Sequence, residues 1–67
     1  MINFILNQKN YCINDGASIT DLIDKLDIGE QKIALEKNLQ IITRSLWQST
    51  KIKENDKIEI VRAIGGG

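Results

Sequence analysis

The sequence contains no histidine, no proline, a single cysteine and no net charge, with nine basic residues against nine acidic ones. Without histidine, the commonest general base and metal ligand is missing. Cys12 alone, with no histidine to accompany it, cannot build a zinc site of the usual kind or a Cys–His nucleophile. Nor can a lone cysteine close an internal disulfide, which fits a reducing compartment. The balanced charge argues against a nucleic-acid partner, which selects for a basic excess. No apolar run approaches the roughly 20 residues that span a bilayer, so no membrane partner is expected. The chain begins directly on strand-like sequence, Met1 to Leu6, rather than on a signal peptide, and the expected location is cytoplasmic. Its 67 residues allow one domain with one small core. Paired-carboxylate chemistry needs a cleft that so small a domain has little room for, so the chain is not expected to be an enzyme by itself.

What is present is strongly patterned. Ile2, Phe4 and Leu6 share one parity, so a strand here buries all three on one face. Asn7-Gln8-Lys9-Asn10 reads as a polar turn, and Tyr11-Cys12-Ile13 as a second strand folded back on the first. Asn14-Asp15-Gly16 ends that hairpin. Ser18 then precedes Ile19, Leu22, Ile23 and Leu26, the i, i+3, i+4, i+7 spacing of one helix face. Ser18 is a good N-cap, and Asp21 completes a capping-box-like pair near the positive end of the helix dipole. The helix is expected to run to about Ile28, with Gly29 as its stop. Ile33 to Lys37 is a third strand, Asn38 a turn residue, and Leu39 to Thr43 holds a short fourth strand around Ile41 and Ile42. Arg44 to Gln48 has room for a single turn. Glu54-Asn55-Asp56 is a polar turn, and Lys57 to Ile64 is the last strand, with Ile58 and Ile60 on one face.

The order β-β-α-β-(β)-β predicts an α+β fold in which one helix lies across one mixed sheet. Its helix face of Ile19, Leu22, Ile23 and Leu26 would pack on Phe4, Ile58 and Ile60. This is the β-grasp arrangement, ubiquitin-like, with the first and last strands parallel and adjacent at the sheet centre.

The last strand runs into Ala63-Ile64-Gly65-Gly66-Gly67. Three glycines in succession resist a fixed local structure. A stretch without side chains suits a channel too narrow for any Cβ, and the one chemical group that Gly67 offers is an α-carboxylate. That group is ionised at neutral pH and a poor electrophile. A partner has to turn one oxygen into a leaving group, for instance by joining it to AMP from ATP, before a thiolate or amine can attack. A frayed terminus or an expression scar is the alternative reading of the same residues. The expected division is a folded domain over residues 1–63 and a flexible tail over 64–67. Arg62 and Ile64, flanking the tail, are candidate partner contacts. Trp47 reads either as a partner-facing anchor or as cover for the edge of a small core. Cys12 has no basic neighbour to activate it and reads as a small apolar strand residue. Charge is uneven along the chain: residues 15–30 hold five acids and one lysine, whereas residues 31–67 carry a net +3. The basic end is either a solvated face or a surface that steers the tail towards an acidic partner.

With these features the sequence resembles the ThiS family, the sulfur-carrier proteins of thiamine (thiazole) biosynthesis. The resemblance covers nearly the whole chain. It rests on Leu6-Asn7, on Ser18-Ile19-Thr20-Asp21-Leu22-Ile23, on Ile33-Ala34-Leu35 followed by Asn38, and on Arg44-Ser45-Leu46-Trp47. It continues through Asn55-Asp56-Lys57-Ile58-Glu59-Ile60-Val61 to the terminal Gly66-Gly67. Glu36, Thr43 and Asn55 depart from the family pattern, which often has Asn, Pro and Gly there. The resemblance implies a carrier that binds no cofactor of its own. A ThiF-like adenylyltransferase would use ATP to adenylate Gly67. A sulfurtransferase or cysteine desulfurase would supply sulfur, and the resulting thiocarboxylate would serve thiazole synthase. Two related roles are alternatives: the small subunit of molybdopterin synthase, and a ubiquitin-like modifier joined through Gly67 to a target lysine.

Overall fold

The computed structural model describes residues 1–28 and 32–62. The expected helix stop at Gly29, the end of the last strand at residues 63 and 64, and the glycine tail lie outside the described residues. Five strands form one sheet: β1 (Ile2–Leu6), β2 (Lys9–Ile13), β3 (Ile33–Lys37), β4 (Gln40–Ile41) and β5 (Lys57–Arg62). Their order across the sheet is β2-β1-β5-β3-β4. β1 and β5 run parallel at the centre, and every other pairing is antiparallel. β5 is thus the middle strand with β1 parallel beside it, the adjacency that the sequence pattern predicts.

Both hairpins are tighter than polarity alone suggests. Leu6 pairs directly with Lys9, so the turn is only Asn7-Gln8, with φ of 49° and 70°. Lys37 likewise pairs with Gln40 around Asn38 and Leu39, with φ of 53° and 72°. Two consecutive left-handed residues are the primed turn whose twist matches that of the flanking strands. Asn tolerates this region because its short amide can bond locally. Lys9 and Asn10 therefore belong to β2 rather than to the turn. They read as loop because β2 is an edge strand and both are exposed. Asn55, where the family often has Gly, also takes a left-handed φ of 69°, which explains why Asn can stand there.

α1 (Ile19–Leu26) begins as its sequence dictates. Ser18 Oγ accepts from the Asp21 N–H at 3.2 Å, and the Ser18 N–H donates to Asp21 Oδ2 at 2.9 Å, a reciprocal capping box. Ile19, Leu22 and Ile23 are buried, and Leu26 packs at the margin. The helix ends earlier than expected. Asp27, not Gly29, takes the left-handed cap position at φ 56°, and its N–H reaches the carbonyls of Ile23 and Asp24. The helical spacing of the apolar face gives way at Asp27, and Ile28 packs against the core from beyond the helix. Backbone bonds from Ile19 N–H to Thr50 and from Ile52 N–H to Ala17 tie the helix start to the segment ahead of β5, both at 2.9 Å.

The core lies between α1 and one sheet face, with Phe4, Leu35 and Ile58 from the strands meeting Ile19 and Leu22 from the helix. Ile60 packs against it from the side. α2 (Arg44–Trp47) is one turn that closes the far edge.

Candidate functional site

The candidate site is the end of β5, the last described element before Gly67. Alternation along β5 puts Ile58 and Ile60 against the core and Lys57, Glu59 and Val61 on the opposite face. β3 holds β5 to its last described residue, through the pairs Leu35↔Ile60, Ala34↔Val61 and Ile33↔Arg62. On the other side β1 pairs only as far as Leu6↔Ile58, because the chain then turns back at Asn7.

Asn7 extends that side by other means. Its N–H donates to the Ile58 carbonyl at 2.9 Å. Its side-chain amide then meets Ile60 twice: Oδ1 accepts from the Ile60 N–H at 2.8 Å, and Nδ2 donates to the Ile60 carbonyl at 3.2 Å. A primary amide presents a donor and an acceptor side by side, so Asn7 takes the place of the next strand residue. Asn38 acts in a matching way at the start of β5 from the β3 hairpin. Its N–H donates to the Lys57 carbonyl at 2.7 Å, and its Oδ1 accepts from the Lys57 N–H at 2.9 Å. Its Nδ2 donates to Asp56 Oδ1 at 3.0 Å.

Asp56 is the buried acid on which the approach to β5 turns. Its Oδ2 accepts from the Lys53 N–H at 2.7 Å, and Lys37 Nζ stands 3.7 Å away. Burying a carboxylate is costly unless its oxygens are bonded, and both oxygens are used here. In the sequence Asp56 reads as one residue of a polar turn, and Asn7 enters only within the family pattern Leu6-Asn7, with no role of its own. The available signal was an Asn at the first loop position of both hairpins.

Of the predicted site residues, Arg62 is exposed at the end of β5 beside Ile33. Ile64, Gly65, Gly66 and Gly67 lie outside the described residues. Trp47 is only 7% exposed and part of the core. Its Nε1 donates to the Ile42 carbonyl at 2.9 Å, and the Arg44 guanidinium lies 5.1 Å from its ring. It therefore covers the core rather than projecting towards a partner. Cys12 is exposed on β2, on the sheet face away from α1, so its smallness is not used for packing. Val61, 58% exposed, stands opposite Ala34 on that same face, next to the Glu36↔Glu59 pair. Among the described residues no three His, Cys, Asp or Glu side chains are grouped to hold a metal ion, and no helix is long and apolar enough to cross a membrane.

A five-stranded mixed sheet with parallel central strands, crossed by one capped helix, is the β-grasp fold. The ThiS family profile matches residues 4–67, and the chain belongs to that family of sulfur carriers. A crystal structure of the thiamine biosynthesis protein ThiS from Geobacter metallireducens superposes with a TM-score of 0.86 at 23% identity, covering 98% of this chain and all of that one. The uncharacterized protein ycf40 of Trieres chinensis is 34% identical, over 96% of this chain and 88% of its own length. A thiazole synthase of Paramagnetospirillum magneticum is 29% identical over 98% of this chain, which spans only 20% of that protein.

Proposed function

We propose that this chain carries sulfur as a thiocarboxylate on Gly67 and serves as a protein co-substrate rather than as an enzyme. The carrying observation is the family match, which runs through Gly66 and Gly67 beyond a strand held on both sides. In this reading a carboxylate oxygen of Gly67 attacks the α-phosphorus of ATP on a ThiF-like partner, and pyrophosphate leaves. A sulfur nucleophile supplied by a sulfurtransferase or cysteine desulfurase then displaces AMP. The loaded chain delivers its sulfur to thiazole synthase. The last step draws support from a protein named thiazole synthase that contains a stretch similar to nearly all of this chain.

Incubation with ATP and the ThiF-like enzyme of the same source tests the reading directly. Pyrophosphate release dependent on this chain is expected, and intact mass after sulfur loading should show one sulfur replacing one oxygen. Isopeptide adducts on lysines would instead indicate a modifier. Deleting Gly67 leaves an identical carboxylate on Gly66 roughly 3.5 Å short. That shortfall takes it out of attack range of the α-phosphate, and pyrophosphate release should stop. Release at the native rate from the shortened chain overturns the proposal.

A further inference from the structure

We infer that Asn7 is a positioning residue for the Gly67 carboxylate, because its side chain is what secures the exit end of β5 on the side that β1 has left. The inference rests on the carrier reading above. Main-chain pairing with β1 stops at Ile58, and Arg62 is four residues further on. β3 alone would then guide the strand from Glu59 to Arg62. The paired bonds from Asn7 to both backbone groups of Ile60 move the last two-sided anchor two residues closer to Gly67.

The two bonds fix more than position. A single hydrogen bond lets a strand pivot about it, whereas a donor and an acceptor side by side hold the orientation of the peptide plane. A strand paired on one edge is free to twist away from its neighbour. A tail that has to deliver one carboxylate to one phosphorus depends on the direction in which it starts. The hairpin geometry supports this use of Asn7. Its φ of 49° sets the side chain beside Ile60 rather than out over the turn, and Asn is among the few residues that adopt that φ readily. Gln would overshoot by one methylene, and Asp would put a carboxylate oxygen against the Ile60 carbonyl.

Asn38 supplies the control. Its side chain holds the Lys57 N–H and the Asp56 carboxylate from the opposite hairpin, at the entry end of β5. The test compares Asn7→Gly with Asn38→Gly, since glycine keeps the left-handed φ at both turns and removes only the amide. Each variant would be melted, then assayed well below its melting temperature for ATP- and ThiF-like-enzyme-dependent pyrophosphate release. Asn38→Gly should lose the more stability, because it also strips the buried Asp56 Oδ1 of its partner. Each net hydrogen bond lost corresponds to up to roughly tenfold in a local opening equilibrium, and Asn7→Gly removes two from Ile60, so the Ile60 amide should exchange hydrogen at least about tenfold faster in Asn7→Gly only. That variant should lose kcat with KM nearly unchanged, because a strand free to pivot at Ile60 presents the carboxylate in the reactive direction less often. Asn38→Gly should retain the native kcat. Equal kcat for Asn7→Gly and the native chain overturns the inference, as does an equal loss in both variants, which would mark a general effect of stability. If the native chain itself is not activated, the carrier reading fails instead, and the Ile60 exchange comparison alone decides whether Asn7 secures the strand.

Discussion

At the scale of single residues, the two hairpin turns share one economy and one strain. Their first positions, Asn7 and Asn38, use a left-handed backbone to aim an amide at β5. Their second positions, Gln8 and Leu39, adopt φ of 70° and 72° with no bond from their side chains to show for it among those described. Leu39 is the sharper case, because its side chain is 86% exposed and recovers almost nothing by packing. A left-handed non-glycine residue costs roughly 1–2 kcal/mol, and glycine's extra freedom in the unfolded chain returns about 0.4–1 kcal/mol of that. Leu39→Gly is therefore expected to stabilise the protein by about 0.5–1 kcal/mol, a rise in melting temperature of roughly 2–8 °C for a domain of this size. A fall in melting temperature would mean that Leu39 packs on something in solution. The Glu36↔Glu59 pair is a second local cost, since like charges directly opposite on neighbouring strands repel.

At the scale of elements, α1 is where local chemistry and tertiary packing agree most fully. Its start was legible because a capping box is a local signal, written within four residues. Its buried face was legible because Ile19, Leu22 and Ile23 repeat at the helical period. Its end was not, because Asp27 stops the helix through a backbone conformation that composition does not announce. β1, β3 and β5 were legible from alternation, and β2 only in its apolar half, since an exposed edge strand needs no apolar residues at Lys9 and Asn10. The tail was conspicuous in the sequence, whereas the role of Asn7 was not: it depends on β5 lying beside it, 53 residues away in the chain. The helix yields two graded expectations. Ser18→Ala removes the acceptor for the Asp21 N–H and should cost about 1 kcal/mol. Leu22→Ala empties a fully buried site between helix and sheet and should cost roughly 2–5 kcal/mol. Denaturant titrations of both variants check the order, and the helix assignment fails if Ser18→Ala proves the costlier change.

At the scale of the whole molecule, fold and proposed function occupy different parts of one chain. Every buried residue of the described core lies between Phe4 and Ile58, and the described strand pairing runs to Arg62. The parallel β1–β5 pairing, which joins the two ends of the sequence, is what makes the fold a single cooperative unit. A domain of 67 residues holds only about 3–10 kcal/mol in total, so it cannot lose either central strand and stay folded. The five residues from Ala63 to Gly67 reach at most about 16–18 Å when extended, enough to carry a carboxylate from the sheet into a partner's active site. If the domain's task is to hold and present that carboxylate, removing residues 63–67 should separate the two properties. The shortened chain is expected to melt within roughly 4 °C of the full one, a difference under about 1 kcal/mol. It should release no pyrophosphate with ATP and the ThiF-like enzyme. Circular-dichroism melting alongside the release assay reads both. A large drop in melting temperature would give the last five residues a structural role that the core does not reveal, and retained pyrophosphate release would move the reacting group off the C-terminus altogether.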